Sequence, residues 1–343
     1  MKSEENLRVG SGVINSVTEV LSSACIEGKV LYVSDSRVDS LYGAIVKEQI
    51  RRCCFLEEVY VTSNTIAYAK LLGEKAVDLD VNCIVGLGGG SVLDVCKYAA
   101  FTSQKQLLLI PTTAANDGIA SPVAVLKDET GKPKSLLCNR ASMMLVDTEL
   151  IFNAPLQLIK AGVGDIISNY MALLDWELAC NRGKDRMNGY AYLMSQNALN
   201  ILLKSKYNNI CKEFVEELLN AHVLSGIAMD FTKSSRAVSG SEHLFSHALD
   251  YYSDVKNLHG IQTGLGTIAV LKLIGEDYKE VLDCLKRYQI DINPERLGIS
   301  EESFVYCMQH ASEIRQDRYT YLHEIELCDK HLRDVYKQLV KEL

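Results

Sequence analysis

The sequence predicts an α/β half followed by an all-helical half, with the boundary near residue 150. Up to that point short β-rich runs alternate with helical patterns, the signature of a parallel sheet with crossover helices. Beyond Asn153-Ala154-Pro155 almost no β-type run occurs. A chain of 343 residues is also long for one core, which suggests two domains of roughly 150 residues or more.

The elements follow in order. Lys29–Ser34, Glu58–Thr62, Cys83–Gly86 and Leu107–Pro111 read as strands, being apolar and rich in β-branched residues. Asp39–Arg51, Thr65–Gly73 and Val92–Ala100 carry the helical patterns between them. Ser121–Lys127 and Ser135–Cys138 are expected to be strands joined by the polar turn DETGKP, with Met143–Val146 as another. Pro155 is placed just inside a helix start, with Asn153 as a candidate cap. Helical periodicity then covers Asp165–Cys180, Tyr190–Leu203, Cys211–Ile227, Gly240–Tyr251, Thr263–Ile274 and the stretch after Ser300.

Composition narrows the function classes. Apolar residues make up 48% of the chain and charges are interspersed, as in a soluble globular protein. A net charge of −8 argues against nucleic acid, which selects a basic face. No apolar run approaches the roughly 20 residues that span a bilayer, and MKSEENLRVGSG lacks a signal-peptide core. A cytoplasmic protein with no membrane span is expected. The eleven cysteines are scattered and lack CxxC spacing, which fits free thiols acting as small hydrophobes.

Residues 84–97 read IVGLGGGSVLDVCK, an apolar run entering Gly88-Gly89-Gly90 with a helical pattern opening at Ser91. Glycines admit a phosphate close to the backbone, and a helix N-terminus offers oriented N–H groups. The spacing is neither the Rossmann fingerprint nor a P-loop. Ser91 and Asp94 also fit an S-x-x-D capping box, which needs no ligand. Asp35, in YVSDS, is placed to hold a ribose hydroxyl or simply to cap a turn. The second loop, IPTTAANDGIASP, offers Thr112, Thr113 and Ser121 as donors, with Asp117-Gly118 as a turn. In parallel sheets such loops converge beyond the carboxyl ends of the strands.

Three of the seven histidines, His243, His247 and His259, fall within seventeen residues. His243 and His247 are four apart and share a helix face. With Asp165, placed at the start of a helix, two imidazoles and a carboxylate would leave a divalent metal with an open position. Periodicity does not say which two histidines bind. Mixed N/O ligation suits zinc, with nickel, iron or manganese also compatible. The remaining His222, His310, His323 and His331 are read as helix-surface residues without a role.

Together GGGSVLDVCK, PTTAANDGIASP, AGVGDIISNYMALLDWELA, SGSEHLFSHALD and HG resemble the iron-containing alcohol dehydrogenase, glycerol dehydrogenase and dehydroquinate synthase superfamily. DGIASP, SNY-to-DW and SGSEHLFSH are most similar to its sn-glycerol-1-phosphate dehydrogenase branch. The resemblance runs patchwise from about residue 30 to 270. It implies a Rossmann-like nucleotide-binding α/β domain over residues 1–152 and an all-α metal-binding domain over 153–343, the dehydroquinate synthase-like arrangement, with the active site in the cleft between them. It implies Asp165, His243 and His259 as metal ligands, with Asp165 also close to substrate, and His247 as the substrate-side group that handles protons. Gly88, Gly89, Gly90, Ser91 and Asp94 would hold the dinucleotide, helped by Thr112, Thr113, Ala114, Ala115 and Ser121. Asp117 would face substrate near the nicotinamide, and Asp35 would lie by the adenosine ribose, tilting the choice towards NAD over NADP.

The reaction so implied is reduction of glycerone phosphate by NADH or NADPH, with one divalent metal, zinc before nickel or iron. Lys97 and Arg236 are candidates for the substrate phosphate, ordinary solvated charge being the commoner role of such residues. A homodimer or higher homo-oligomer is the family-level expectation. The sequence departs from the branch at Ser91, at Asn116 in place of histidine, at Ile261 in place of glutamate and at Ala237 in place of proline. Another small phosphorylated or polyhydroxy ketone, glycerol dehydrogenase chemistry, or a dehydroquinate synthase-like cyclisation are therefore the alternatives. The last usually has glutamate where this chain has Asp165.

Overall fold

Short β-branched runs in the first half pair into one six-stranded parallel sheet in the computed structural model, which describes residues 6–343. The strands are β1 (Leu7–Gly10), β2 (Lys29–Ser34), β3 (Phe55–Tyr60), β4 (Val81–Gly88), β5 (Gln106–Pro111) and β8 (Met143–Asp147), in the order β1-β8-β5-β4-β2-β3. Strands β6 (Val123–Lys127) and β7 (Pro133–Leu137) form a separate antiparallel hairpin. Its turn is organised by Asp128, whose carboxylate accepts from the Thr130 and Lys132 N–H groups at 2.9 and 3.0 Å.

Helices α1 (Val17–Ser23), α2 (Ala44–Arg51), α3 (Ile66–Asp78) and α4 (Gly90–Ser103) belong to this part of the chain. The residues Asp39–Gly43, expected to be ordinary α-helix, form a π turn ahead of α2. After β3 the chain jumps back across β2 to form β4, so the strand order reverses between β2 and β4. The crevice beyond the carboxyl ends of strands at such a reversal is where ligands bind in open α/β sheets. Asp35 follows β2 and Gly88-Gly89 end β4, so both stand there.

The remainder is helical: α5 (Leu156–Ile167), α6 (Asn169–Asn181), α7 (Gly189–Leu203), α8 (Lys212–Thr232), α9 (Ser241–Tyr252), α10 (His259–Ile274), α11 (Lys279–Arg287), α12 (Glu301–Ile314) and α13 (Asp329–Glu342). Helix α9 packs against α10 and α12, with Phe245 of α9 edge-on to Phe304 of α12, and Trp176 and Phe214 are fully buried elsewhere in the helical unit. The chain divides into two compact units, one comprising residues up to Ala114 with Gly118–Leu156, the other Ala115–Asp117 with Gln157–Leu343.

Several local expectations are corrected. Asn153 does not cap the helix after Pro155; its N–H and side-chain amide both donate to Glu149 O, closing the single-turn helix Thr148–Phe152. The helix expected over Asp165–Cys180 is two helices meeting at Ser168, whose hydroxyl donates to Asp165 O at 2.6 Å. Asp165 therefore lies in the last turn of α5, not at a helix start. His222 is fully buried in α8 rather than on a helix surface.

Candidate functional site

Asp165 and His259 meet because two glycines let their helices touch. A methyl group on Gly164 would overlap Gly260 O, and one on Gly260 would overlap Ala161 O and lie 3.1 Å from Asp165 N. Helix α10 begins at His259, so this backbone contact sets its first residue beside the last turn of α5. His243 arrives from the first turn of α9. The three side chains converge: His259 Nε2 lies 3.6 Å and His243 Nε2 3.9 Å from Asp165 Oδ1, and all three ligand atoms fall within 4.8 Å of one another.

Each remaining polar atom of these side chains is held by a neighbour. Asp165 Oδ2 accepts from the Asp117 N–H at 2.7 Å. His243 Nδ1 faces Glu242 Oε1 at 2.7 Å, which requires the proton on Nδ1 when Glu242 is ionised. Ser246 Oγ donates to Gln262 Oε1 at 2.8 Å, so it must accept from His259 Nδ1 at 3.1 Å. Gln262 in turn donates to Asp250 at 3.2 Å. Both Nε2 lone pairs are thereby turned towards Asp165 Oδ1, a buried oxygen with no hydrogen-bond partner.

Three acceptors facing one another with no donor between them repel unless a cation lies among them. Ligand bonds of about 2.0–2.2 Å in tetrahedral geometry put donor atoms roughly 3.3–3.6 Å apart, close to the separations here. Burial, with a smaller push from the Glu242 carboxylate, raises the Asp165 carboxyl to about 7 against the pull of the Asp117 N–H. Burial lowers His259 against the pull of Asp250, Asp117 and Glu242, and lowers His243 and His247 well below the usual histidine range, helped in these two by neighbouring histidines and by Arg315 and Arg318. Neutral imidazoles are the form that binds metal. The set fits one divalent ion.

His247 lies on the same face of α9, its ring centroid 5.6 Å from that of His259 and 6.2 Å from that of His243. Asp117 reaches the centre through its backbone.

In the first unit, Gly89 caps α4 in extended backbone, and a Cβ there would meet only Thr113, at 3.6 Å. Gly88 is different, since a Cβ would strike the Val92 side chain at 2.6–2.9 Å. The capping box does not form: Gly89 is the cap residue, and Asp94 accepts from Lys97 Nζ at 3.4 Å. Asp35 caps the turn after β2, its Oδ1 accepting from the Arg37 and Val38 N–H groups at 2.9 Å. Thr112 and Ala114 are buried, whereas Ser91 is exposed and Thr113 and Ala115 half-buried.

Lys97 is not solvated. Its ammonium is buried and donates to Gly118 O, to Val123 O at 2.9 Å and to Ser121 Oγ at 3.2 Å, which also commits the Ser121 hydroxyl. Arg236 is likewise buried, one nitrogen donating to Asp175 O at 2.7 Å and Tyr319 O at 2.9 Å, while Nε lies 3.0 Å from the Asp185 carboxylate.

Glu242, Ser246, Gln262 and Asp250 escaped the sequence reading. Adjacent helix residues point apart, so nothing in periodicity links Glu242 to His243. The one available signal was an acid directly beside a candidate ligand.

The sequence matches the family model for iron-containing alcohol dehydrogenase over residues 8–155. It is 33% identical to the glycerol-1-phosphate dehydrogenase [NAD(P)+] of Methanosarcina barkeri, covering 94% of this chain and 91% of that one. The chain belongs to the glycerol-1-phosphate dehydrogenase family. The enzyme of the same name from Methanococcoides burtonii is 35% identical with the same coverage. Among solved structures, a probable glycerol dehydrogenase from Sinorhizobium meliloti superposes with a TM-score of 0.79 over 98% of this chain and 97% of its own, at 18% identity. That likeness establishes the fold.

Proposed function

We propose that this chain reduces glycerone phosphate to sn-glycerol 1-phosphate with a nicotinamide cofactor and one divalent metal ion, zinc before nickel or iron. The observation that carries this reading is the convergence of Asp165 Oδ1, His243 Nε2 and His259 Nε2, in a chain whose similarity to glycerol-1-phosphate dehydrogenases spans nearly its full length.

Asp165, His243 and His259 hold the metal, which when bound supplies Lewis-acid polarisation of the substrate carbonyl. The cofactor supplies the hydride, with Gly89, Gly90, Ser91 and Thr113 lining the phosphate approach at the start of α4. The carboxylate of Asp35, with one oxygen free of its capping bonds, disfavours a 2′-phosphate and so favours NAD over NADP. Glu242 and Ser246 fix the tautomers of His243 and His259. His247, kept neutral near pH 7 by burial, relays a proton from water rather than storing one. Asp117 holds Asp165 in place through its N–H and lies beside the reacting carbon.

The test is NADH oxidation by the zinc-loaded protein with glycerone phosphate, with the product assayed for sn-1 stereochemistry. Stoichiometric NAD and sn-glycerol 1-phosphate are expected. No NADH oxidation and no sn-glycerol 1-phosphate from the zinc-loaded protein would overturn this reading.

A further inference from the structure

The proposed substrate carries a phosphate dianion, and Lys97 and Arg236 are both buried against internal carbonyl groups. A different cationic group stands at the segment leading into α9. Arg318 is buried and donates to Ser239 O and, at 3.2 Å, to Ser235 Oγ. Arg315 donates to the same Ser235 Oγ at 3.3 Å, but its side chain is 30% exposed. Its other nitrogens face Asp317, 2.9 Å away at the nearest, and the Asp317 side chain is 69% exposed. An ion pair this open to water is weakly held and readily exchanged for a stronger anion. Ser235 accepts from both arginines and keeps its own proton to donate.

We infer that Arg315 and Ser235 hold the phosphate of the substrate, and that Arg318 positions them. This rests on the reading of the site as a glycerone phosphate reductase. Ser239, which Arg318 grips, is four residues ahead of His243, so the subsite is tied directly to the helix carrying His243 and His247. A guanidinium fork matches two phosphate oxygens at once, and the Ser235 hydroxyl supplies a third donor. The subsite thus selects phosphorylated ketones over their unphosphorylated counterparts.

The experiment compares wild type, Arg315→Gln, Arg315→Lys and Asp317→Asn as metal-loaded holoenzymes of verified metal content and melting temperature. Two readouts are taken: kcat/KM for glycerone phosphate against dihydroxyacetone, and the Kd for inorganic phosphate by calorimetry. R315Q should lower the glycerone phosphate to dihydroxyacetone ratio by about 10- to 100-fold, the worth of a hydrogen bond to a charged group, mainly through KM, and weaken phosphate binding. R315K should recover part of both. D317N, which removes the competing carboxylate, should bind phosphate more tightly than wild type. Equal phosphate affinity in wild type and R315Q, or weaker affinity in D317N, would overturn the subsite. Absence of glycerone phosphate turnover by wild type would overturn the reaction instead, and the phosphate Kd would still decide the subsite.

Discussion

At the scale of single residues, the proposed metal centre relies on atoms outside the three ligands. Glu242 fixes His243 through Nδ1 and is itself wholly buried, with Gly240 N–H donating to the same oxygen at 2.8 Å. Outer partners of this kind typically contribute about 10- to 100-fold in metal affinity. Glu242→Gln should therefore weaken zinc binding by that order in a chelator competition, and an unchanged Kd would exclude the positioning role. Protonation of Asp165 gives a second test. Its metal-free carboxyl, raised to about 7, must lose a proton to bind metal below pH 7 and has none to lose well above it. The histidines, already neutral, add no proton release near neutrality. Glu242, which burial also raises to about 7, must ionise as well to hold His243 in its ligand tautomer, so zinc affinity should fall at least about tenfold per pH unit below 7 and level off above. Calorimetry in buffers of different ionisation enthalpy would show at least about one proton released at pH 6; no release there would contradict the assignment. The substrate-phosphate candidates Lys97 and Arg236 show the limit of reading single residues, because a charge in a sequence says nothing of the carbonyls that will surround it.

At the scale of elements, the crossing of α5 and α10 is what assembles the site. The apolar run Leu156–Ile167 holds two glycines, Gly162 and Gly164, which lower helix propensity, so the sequence marks the helix start at Pro155 but not its run to Asp165. Tertiary contact overrides propensity here, since only glycine permits the backbone approach at Gly164 and Gly260. Gly260→Ala should force the helices apart, at a cost of about 1–3 kcal/mol for overpacking, and reduce zinc affinity as well. A normal melting temperature with unchanged zinc binding would show that the crossing does not matter. The glycine loop separates two roles. Gly89→Ala enters open space beside Thr113 and should leave the fold intact while weakening NADH binding; undiminished NADH fluorescence on titration would remove the loop from the cofactor site.

Strands were legible where they are central: β2, β4, β5 and β8 are buried on both faces and read as continuous apolar runs. The edge strand β3 mixes exposed and half-buried residues, so the apolar pattern marks its start at Glu58 rather than at Phe55. β1, with four residues, left too short a pattern to find. His243, His247 and His259 were legible as a group because two share a helix face and the third follows closely. That Asp165 joins them depends on a long-range crossing that no local pattern contains.

At the scale of the whole molecule, the proposed function assigns the cofactor to the α/β unit and the metal to the helical unit. The reversal of strand order between β2 and β4 sets Asp35 and the glycine loop on neighbouring strand ends, while Asp165, His243, His259 and the backbone of Asp117 lie in the helical unit. No helix among the described residues is long and apolar enough to cross a membrane. The central claim is that one metal ion held by Asp165, His243 and His259 makes the chain a dehydrogenase. The most direct measurement titrates zinc into metal-free protein while following NADH oxidation with glycerone phosphate. The rate should rise in proportion to zinc and stop rising at one ion per chain, with His243→Ala remaining inactive throughout. Full activity in the metal-free protein, or an unaltered zinc response in His243→Ala, would contradict it.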